Sequence, residues 1–513
     1  MEAAEALGRG DLAAFLEVTR EAVRARSRAF WIVAGLTLVA AALRFATLGA
    51  QAYHHDEIVT ASRVLRDGFW HAMEAVGFSE SAPPLYYALA WAWTQLTGTG
   101  ELGLRSLSAL AGVATVPVAY LLGLQLRSRR AGVLAAAFVA VNPMLLWYSQ
   151  EARGYALLAL LTSTSALYFV RALEDVERAD LRRWGVFSAL AIATHYFAVF
   201  PIAVEAVWLT WRRGRAAVAG LWIVLLAGLA LAPLAIHQMS LGHAEWIGDR
   251  SLGHRVWEAG VTFVAGETGD IVARPELALP AVVPMLVLVA GLVLLMLRGE
   301  PSERRAGRLA LALAAATIAG PLLLALSVPG KDYVLARNLL PALVPLLAAA
   351  AIGMTLRRAR RPGAVLAAIL VAYSLGFCVW VAASPCWQRP DWKAVAARLG
   401  EPAAPRAIVL WTLGAASLRY YLSTGSFQVQ PADGYAWSVH EIDFVSDGPA
   451  PPAPPSLLGP RFRQVGYEPV GRLYVRRYAL PGPDLAHLRL RRLRDADLNF
   501  RSNGVLLDGI GPG

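Results

Sequence analysis

The sequence predicts a polytopic α-helical membrane protein of about eleven transmembrane helices, followed by a small extracytoplasmic α/β domain at the C-terminus. Three observations carry this reading. The 513-residue chain is 57% hydrophobic and only 17% charged, with a mean hydropathy of +0.47, too apolar for a soluble globular protein. Its apolar residues gather in runs of about 20, the length that crosses a bilayer core. From about residue 384 those runs cease, and short strand-like and helix-like segments take over.

Runs near 29–48, 104–126, 131–148 and 156–172 read as spans, as do those near 216–236, 278–298, 307–327, 339–356 and 363–383. Between 184 and 212 the apolar run is too long for one vertical helix and short for two. Thr194 and His195 stand at its centre, so it reads as a hairpin of two short helices with its tip outward. Arginine sets the orientation, because short cytoplasmic loops collect basic residues. The N-terminal tail, "RSRR" at 127–130, "RALEDVERADLRR", "RRGR" at 212–215, "RGEPSERRAGR" and "RRARR" at 357–361 all fall on one side, which is therefore the cytoplasm. The stretches 49–103, "YSQEARGY", 237–277, "KDYVLARN" and the C-terminal region fall on the other.

The ends follow from composition. Residues 1–28 mix acids and bases without the apolar core of a cleaved leader and read as a cytosolic helix. Residues 29–383 form the membrane domain, and 384–513 the extracytoplasmic α/β domain, with "AIVLW" a strand, "GAASLRYYLS" a helix and "FRQVGYEPVGRLYVRRYAL" a hairpin. Within the first outer loop, "IVTASRVLRDGFWHAMEAV" and "PPLYYALAWAWTQLTG" are amphipathic or aromatic, suited to helices lying in the membrane interface. Taking the second as a further span would turn every later arginine-rich loop outward, so charge rejects it.

A formal charge of +11 invites a nucleic-acid reading, but that needs a basic face, and here the arginines punctuate apolar runs. No zinc-type cysteine spacing exists; Cys378 and Cys386 are the only cysteines, and thiols this close in sequence are more often free, with a disulfide between them the alternative.

Chemistry concentrates on the outer side. "HHDE" at 54–57 places His55, Asp56 and Glu57 where the first span ends. Adjacent residues point in different directions, so one carboxylate can face a site while the other caps or pairs. "YSQEARGY" sets Glu151, Arg153 and Tyr155 between two apolar runs, and ionisable groups at such depth are candidates for function. A local ion pair is the plain alternative there. "KDYVLARN" brings Lys331 and Arg337 to the mouth of a span, where snorkelling anchors are the alternative. His195 and Tyr196 at the hairpin tip are further site candidates. Carboxylates and cations converging from several outer loops suit an anionic lipid headgroup: a base takes the acceptor proton while guanidinium or ammonium groups stabilise the departing phosphate.

The order "HHDE", interface helices, "PPLYYALAWAWTQLTGTGELGLRSLSALAGV", "YSQEARGYALL", "THYF", "ARNLLPALVPLLAAAAIGM" and "RPDWKAVA" resembles bacterial GT-C superfamily glycosyltransferases, and more closely the family 39 group related to protein O-mannosyltransferases and aminoarabinose transferases. The resemblance covers residues from about 30 to 400. It implies a polyprenyl-phosphate sugar donor used on the extracytoplasmic face with inversion, transfer to a glycan, lipid or protein acceptor, and residence in a bacterial plasma membrane. By that likeness Asp56 is the catalytic base and Glu57 its acidic neighbour, Glu151 lies in the second acidic motif, and Arg337 lies near the donor phosphate. A divalent cation (magnesium, manganese or calcium) on Asp56 and Glu151 is a further expectation, with phosphate neutralisation by Arg153 and Arg337 the alternative. Two departures from the pattern are "SESAPP" before the paired prolines and Asn338 where an aromatic is common. The expected activity is sugar transfer. Rival readings are a transporter or flippase for lipid-linked sugars, which calls for midplane charges in repeated halves, and a ligase or hydrolase in which Asp56 and Glu151 flank the glycosidic bond.

Overall fold

The computed structural model describes residues 28–65, 68–174, 177–243, 245–267, 275–328, 332–422, 427–429, 436–450, 455–489, 493 and 503–508. They form two compact units. One holds the described residues through Ala46, Val76–Tyr86 and Ser106–Cys378; the other holds Thr47–Ala75, Tyr87–Arg105 and the described residues from Val379 onward. Lys331 lies outside the described residues.

Along the chain run α1 (Arg28–Phe45), α2 (His55–Val59), α3 (Phe69–Ser79), α4 (Leu85–Thr97), α5 (Glu101–Leu126), α6 (Arg129–Val141) and α7 (Pro143–Ser149). There follow α8 (Tyr155–Glu174), α9 (Arg178–Thr194), α10 (Val199–Arg213), α11 (Val218–Ser240), α12 (Leu252–Ala265), α13 (Pro275–Arg298), α14 (Pro301–Ser327), α15 (Leu343–Met354) and α16 (Arg360–Ala383). Among the described residues, eight helical stretches are long and apolar enough to cross a membrane, nine if the pair α6–α7, bent by 57°, counts as one. The eleven expected from sequence differ from this at identifiable places. Helix α9 is 17 residues long and opens with Arg178, Asp180, Arg182 and Arg183, too short and too polar at its start to count. The 45-residue stretch Tyr196–Ser240 counts once, although at ~1.5 Å per residue it is far longer than a ~30 Å bilayer core; Gly214, at φ +52°, breaks it between α10 and α11.

In the first unit, α9 packs on α8 and α11, and α15 is buried among α6, α13 and α14. Small residues let these backbones touch. A Cβ on Gly353 of α15 would stand 2.0 Å from the Gly291 carbonyl of α13. The α6–α7 bend has a local cause: Pro143 follows Asn142 and supplies no N–H, so carbonyls at the end of α6 lack helical donors. Arg44 of α1 fills that gap, donating to Ala140 O at 3.0 Å, Val139 O at 3.3 Å and Ser149 Oγ at 3.1 Å. Cys378 is a free thiol.

The second unit contains a six-stranded sheet in the order β2-β8-β1-β4-β6-β5. Its strands are β1 (Arg406–Trp411), β2 (Phe427–Val429), β4 (Glu441–Asp447), β5 (Arg463–Val470), β6 (Leu473–Ala479) and β8 (Asn503–Asp508), while β3 (Ala436–Val439) pairs with β7 (Ala486–Arg489). Only β1 and β4 run parallel; the other pairs are antiparallel. The alternation of β1 sends Ala407 and Val409 to one core and Ile408 and Leu410 to the other. The second core is closed by α17 (Trp392–Leu399) and α18 (Thr412–Tyr421). The β5–β6 hairpin turns at Gly471, φ +63°, a left-handed position that glycine takes without cost.

Candidate active site

After the first long helix the chain extends through residues 52–54 and turns into α2. His54 caps this helix, and Glu57 at its third position reaches back to the His54 N–H at 2.9 Å, the acidic half of a capping box. Glu57 is fully buried. Its Oε1 and Oε2 each accept from Arg105, at 2.7 Å from Nε and Nη2, and Arg389 Nη1 stands 3.7 Å away. Arg105 also donates to Leu48 O (3.1 Å), Gln51 O (2.7 Å) and Ala52 O (3.0 Å), so all of its N–H groups are used on residues 48–57. Its guanidinium lies over the Tyr53 ring. Burial alone would raise the Glu57 carboxyl; Arg105 and then Arg389 overcome it and hold the group down at about 2. Glu57 is therefore a fixed anion that shapes the loop. Asp56 points elsewhere on the helix and is half-buried, its carbonyl accepting from Thr60 Oγ1 at 3.1 Å. His55 is half-buried too, and its Nδ1 has no hydrogen-bond partner among the described residues.

The other candidates lie in the first unit. Arg153 Nη1 pairs with Glu80 Oε2 at 2.6 Å, and Ser108 Oγ donates to the Arg153 carbonyl at 3.1 Å. Glu151 is buried. The Tyr155 ring lies 4.9 Å from Tyr148 and 5.6 Å from His195. His195, at the break between α9 and the next turn, accepts at Nδ1 from the Phe197 N–H. Burial, then Arg153 and Arg337, push its imidazole down to about 3, so it is neutral at physiological pH. Arg337 lies over the Trp246 ring with its Cζ 5.8 Å from the centroid. Its segment is pinned by a bidentate pair between Arg255 and Asp332 and by Asn338 Nδ2 on Tyr333 O at 2.8 Å. The structure thus brings Arg153, Tyr155, His195 and Arg337 into one electrostatic neighbourhood. Tyr196 does something else: its hydroxyl bonds Gln238 Oε1 at 2.8 Å, and Gln238 Nε2 holds Val76 O and Ala82 O at 2.9 and 3.2 Å, tethering the segment that carries Glu80.

Sequence reasoning passed over Arg105, Arg389, Gln238 and the Glu80 pairing. For Arg105 a signal existed, since it is the one charge inside the apolar run 104–126. Among the described residues no three His, Cys, Asp or Glu side chains cluster as metal ligands.

The arrangement of helices is shared with a solved structure. ArnT from Cupriavidus metallidurans, in its apo state, matches with a TM-score of 0.54 and 13% identity over 88% of this chain and 98% of that one. The chain has a GT-C fold. The same ArnT bound to undecaprenyl phosphate matches this chain with a TM-score of 0.50 and 14% identity, over 87% and 97% of the two chains. Residues 81–238 match the family model described as dolichyl-phosphate-mannose-protein mannosyltransferase, the region of Glu80's neighbours, Glu151, Arg153 and His195. No curated protein sequence matches the chain. With this fold and these apolar helices, the chain is a multi-pass membrane protein.

Proposed function

We propose that the chain is an inverting glycosyltransferase that moves one sugar from a polyprenyl-phosphate donor to an extracytoplasmic acceptor. The observation that carries the reading is a half-buried Asp56 set beside a saturated Glu57, in a chain with the GT-C fold along nearly all of its length. Support comes also from the matched mannosyltransferase family model and from the undecaprenyl phosphate held by ArnT.

In this reading Asp56 takes the proton of the acceptor hydroxyl as its oxygen attacks the anomeric carbon. The bond from that carbon to the phosphate oxygen breaks, and polyprenyl phosphate departs with its electron pair. A phosphate needs no protonation to leave, only stabilisation of its developing charge. Arg337, and Arg153 within its Glu80 pair, supply that positive charge, with Glu151, Tyr155 and neutral His195 shaping the polar surroundings. The protein lies in a bacterial plasma membrane with its N-terminus cytoplasmic. A divalent cation on Asp56 and Glu151 is not used in these steps.

The test is incubation of the reconstituted protein with a panel of radiolabelled polyprenyl-phosphate sugars and a cell-envelope extract, with and without EDTA. One donor is consumed by wild type, and Asp56→Asn lowers the rate by at least ~100-fold, the scale of general-base catalysis, while still folding. A fully active Asp56→Asn protein removes the base assignment. Label released as free sugar without acceptor favours a hydrolase; dependence on restored magnesium, manganese or calcium puts a cation in the site.

A further inference from the structure

Asp56 sits on a five-residue helix whose loop is held by the His54–Glu57 contact and by Arg105, and the loop has further supports. Three points of that loop are gripped by the chain beyond the last apolar helix. At the first, the Arg389 N–H donates to Gln51 Oε1 at 3.2 Å. At the second, Tyr421, the last residue of α18, accepts the Tyr53 N–H on its hydroxyl at 2.8 Å and donates to Glu101 Oε1 at 2.9 Å. At the third, the Arg389 guanidinium approaches Glu57. Helix α18 also packs directly on α2, and the Tyr420 ring meets Tyr53 edge-on at 5.9 Å.

The Tyr53 link is the strongest of these. Tyr53 is fully buried in extended backbone, outside any helix or sheet ladder. Its N–H must find an acceptor or be left unpaired in the interior. The Tyr421 hydroxyl can accept that bond while donating its own proton to Glu101, so one oxygen ties α18, the Asp56 loop and the start of α5 together. Lys393 adds a second link to Glu101 at 3.4 Å.

We propose that the C-terminal domain positions the Asp56 loop for transfer, with Tyr421 as the positioning residue. The proposal rests on Asp56 being the base, and it gives the extracytoplasmic domain a role in the chemical step. Tyr421→Phe keeps the ring and removes only the bridging oxygen.

The experiment compares full-length wild type, Tyr421→Phe and Arg461→Ala in nanodiscs, measuring hydrogen exchange in peptides covering 48–60 and donor consumption at saturating and limiting donor. Tyr421→Phe should exchange faster across 48–60 and lose kcat by roughly tenfold, the scale of one buried hydrogen bond. Its donor KM should stay within about twofold, because the lost interaction orients the base and does not bind donor. Arg461→Ala, altered on the same domain but outside these contacts, should match wild type in both. Unchanged exchange across 48–60 in Tyr421→Phe overturns the proposal, as does faster exchange with unchanged kcat. If Tyr421→Phe does not fold, Gln51→Ala, which removes the acceptor of the Arg389 N–H, takes its place: faster exchange with lower kcat supports the proposal, and no change in either overturns it. Exchange needs no donor. A wild type that consumes none therefore counts against the transferase reading while the ordering of the loop is still judged.

Discussion

Two buried carboxylates in the same unit, Glu57 and Asp443, meet opposite fates. Both have fully buried side chains and an arginine partner. Glu57 receives Arg105 on both oxygens and the His54 N–H as well, and it is held at about 2. Asp443, on β4, accepts only from Arg477 Nε at 3.0 Å on Oδ1, and its Oδ2 has no hydrogen-bond partner among the described residues. Glu441, two residues back and so on the same face of the strand, shares that arginine at 3.3 Å. Burial, then Glu441, push Asp443 up to about 7 against the pull of Arg477. Burial acts with the same sign on both; the number of donors reaching each oxygen decides which stays charged. Shape and charge are fixed at Glu57, where the loop beside Asp56 must not move, and left loose at Asp443.

The comparison breaks most directly at Arg105. Arg105→Ala leaves the Glu57 charge in the interior without its bidentate partner and frees the carbonyls of Leu48, Gln51 and Ala52. Removing one partner of a buried pair costs about 3–5 kcal/mol. Thermal unfolding of the reconstituted variant should show that loss, with faster exchange across 48–57. A variant as stable as wild type would mean that Glu57 is not held by its donors. A smaller effect is expected at Asp443, and its sign follows from linkage. A carboxyl raised in the folded state contributes stability that is complete below its unfolded value, ~3.9, and is lost as pH rises through about 7. Asp443→Asn, neutral throughout, escapes that loss. The melting temperature of the variant minus that of wild type should therefore increase from pH 5 to pH 8. A difference that stays flat would place Asp443 with Glu57 as a permanently charged group.

The contrast also marks what a sequence can disclose. Apolar runs, the strand "AIVLW" and the hairpin around Gly471 are legible because hydrophobic period and turn chemistry are local. That one member of Asp56–Glu57 would cap or pair is legible too, since neighbours on a helix diverge. Which member cannot be read, because it is decided by Arg105 and Arg389, 48 and 332 positions along the chain from Glu57. The first outer loop likewise reads as part of the membrane domain, whereas Thr47–Ala75 folds with the C-terminal segment through pairings such as Tyr53 with Tyr421. Tyr196 shows the converse: its motif points to a site, while its hydroxyl is engaged by Gln238 in a tether. Spans divide the same way, since the polar first turn of α9 leaves its membrane character to be judged from its packing on α8 and α11.

The smallest effect belongs to a pair that shares the chemistry of Glu57 and Asp443 but not their burial. Arg461 and Asp484 form an ion pair with both side chains more than half exposed. Water solvates each partner whether or not the other is present, so neither an orphaned charge nor a desolvated carboxyl results from Arg461→Ala. The loss should stay within about 1 kcal/mol and shrink further as salt screens the pair. Unfolding measured at low and at high salt checks both parts. A loss as large as that of Arg105→Ala would show that burial, on which the contrast between Glu57 and Asp443 depends, adds nothing to the strength of these centres.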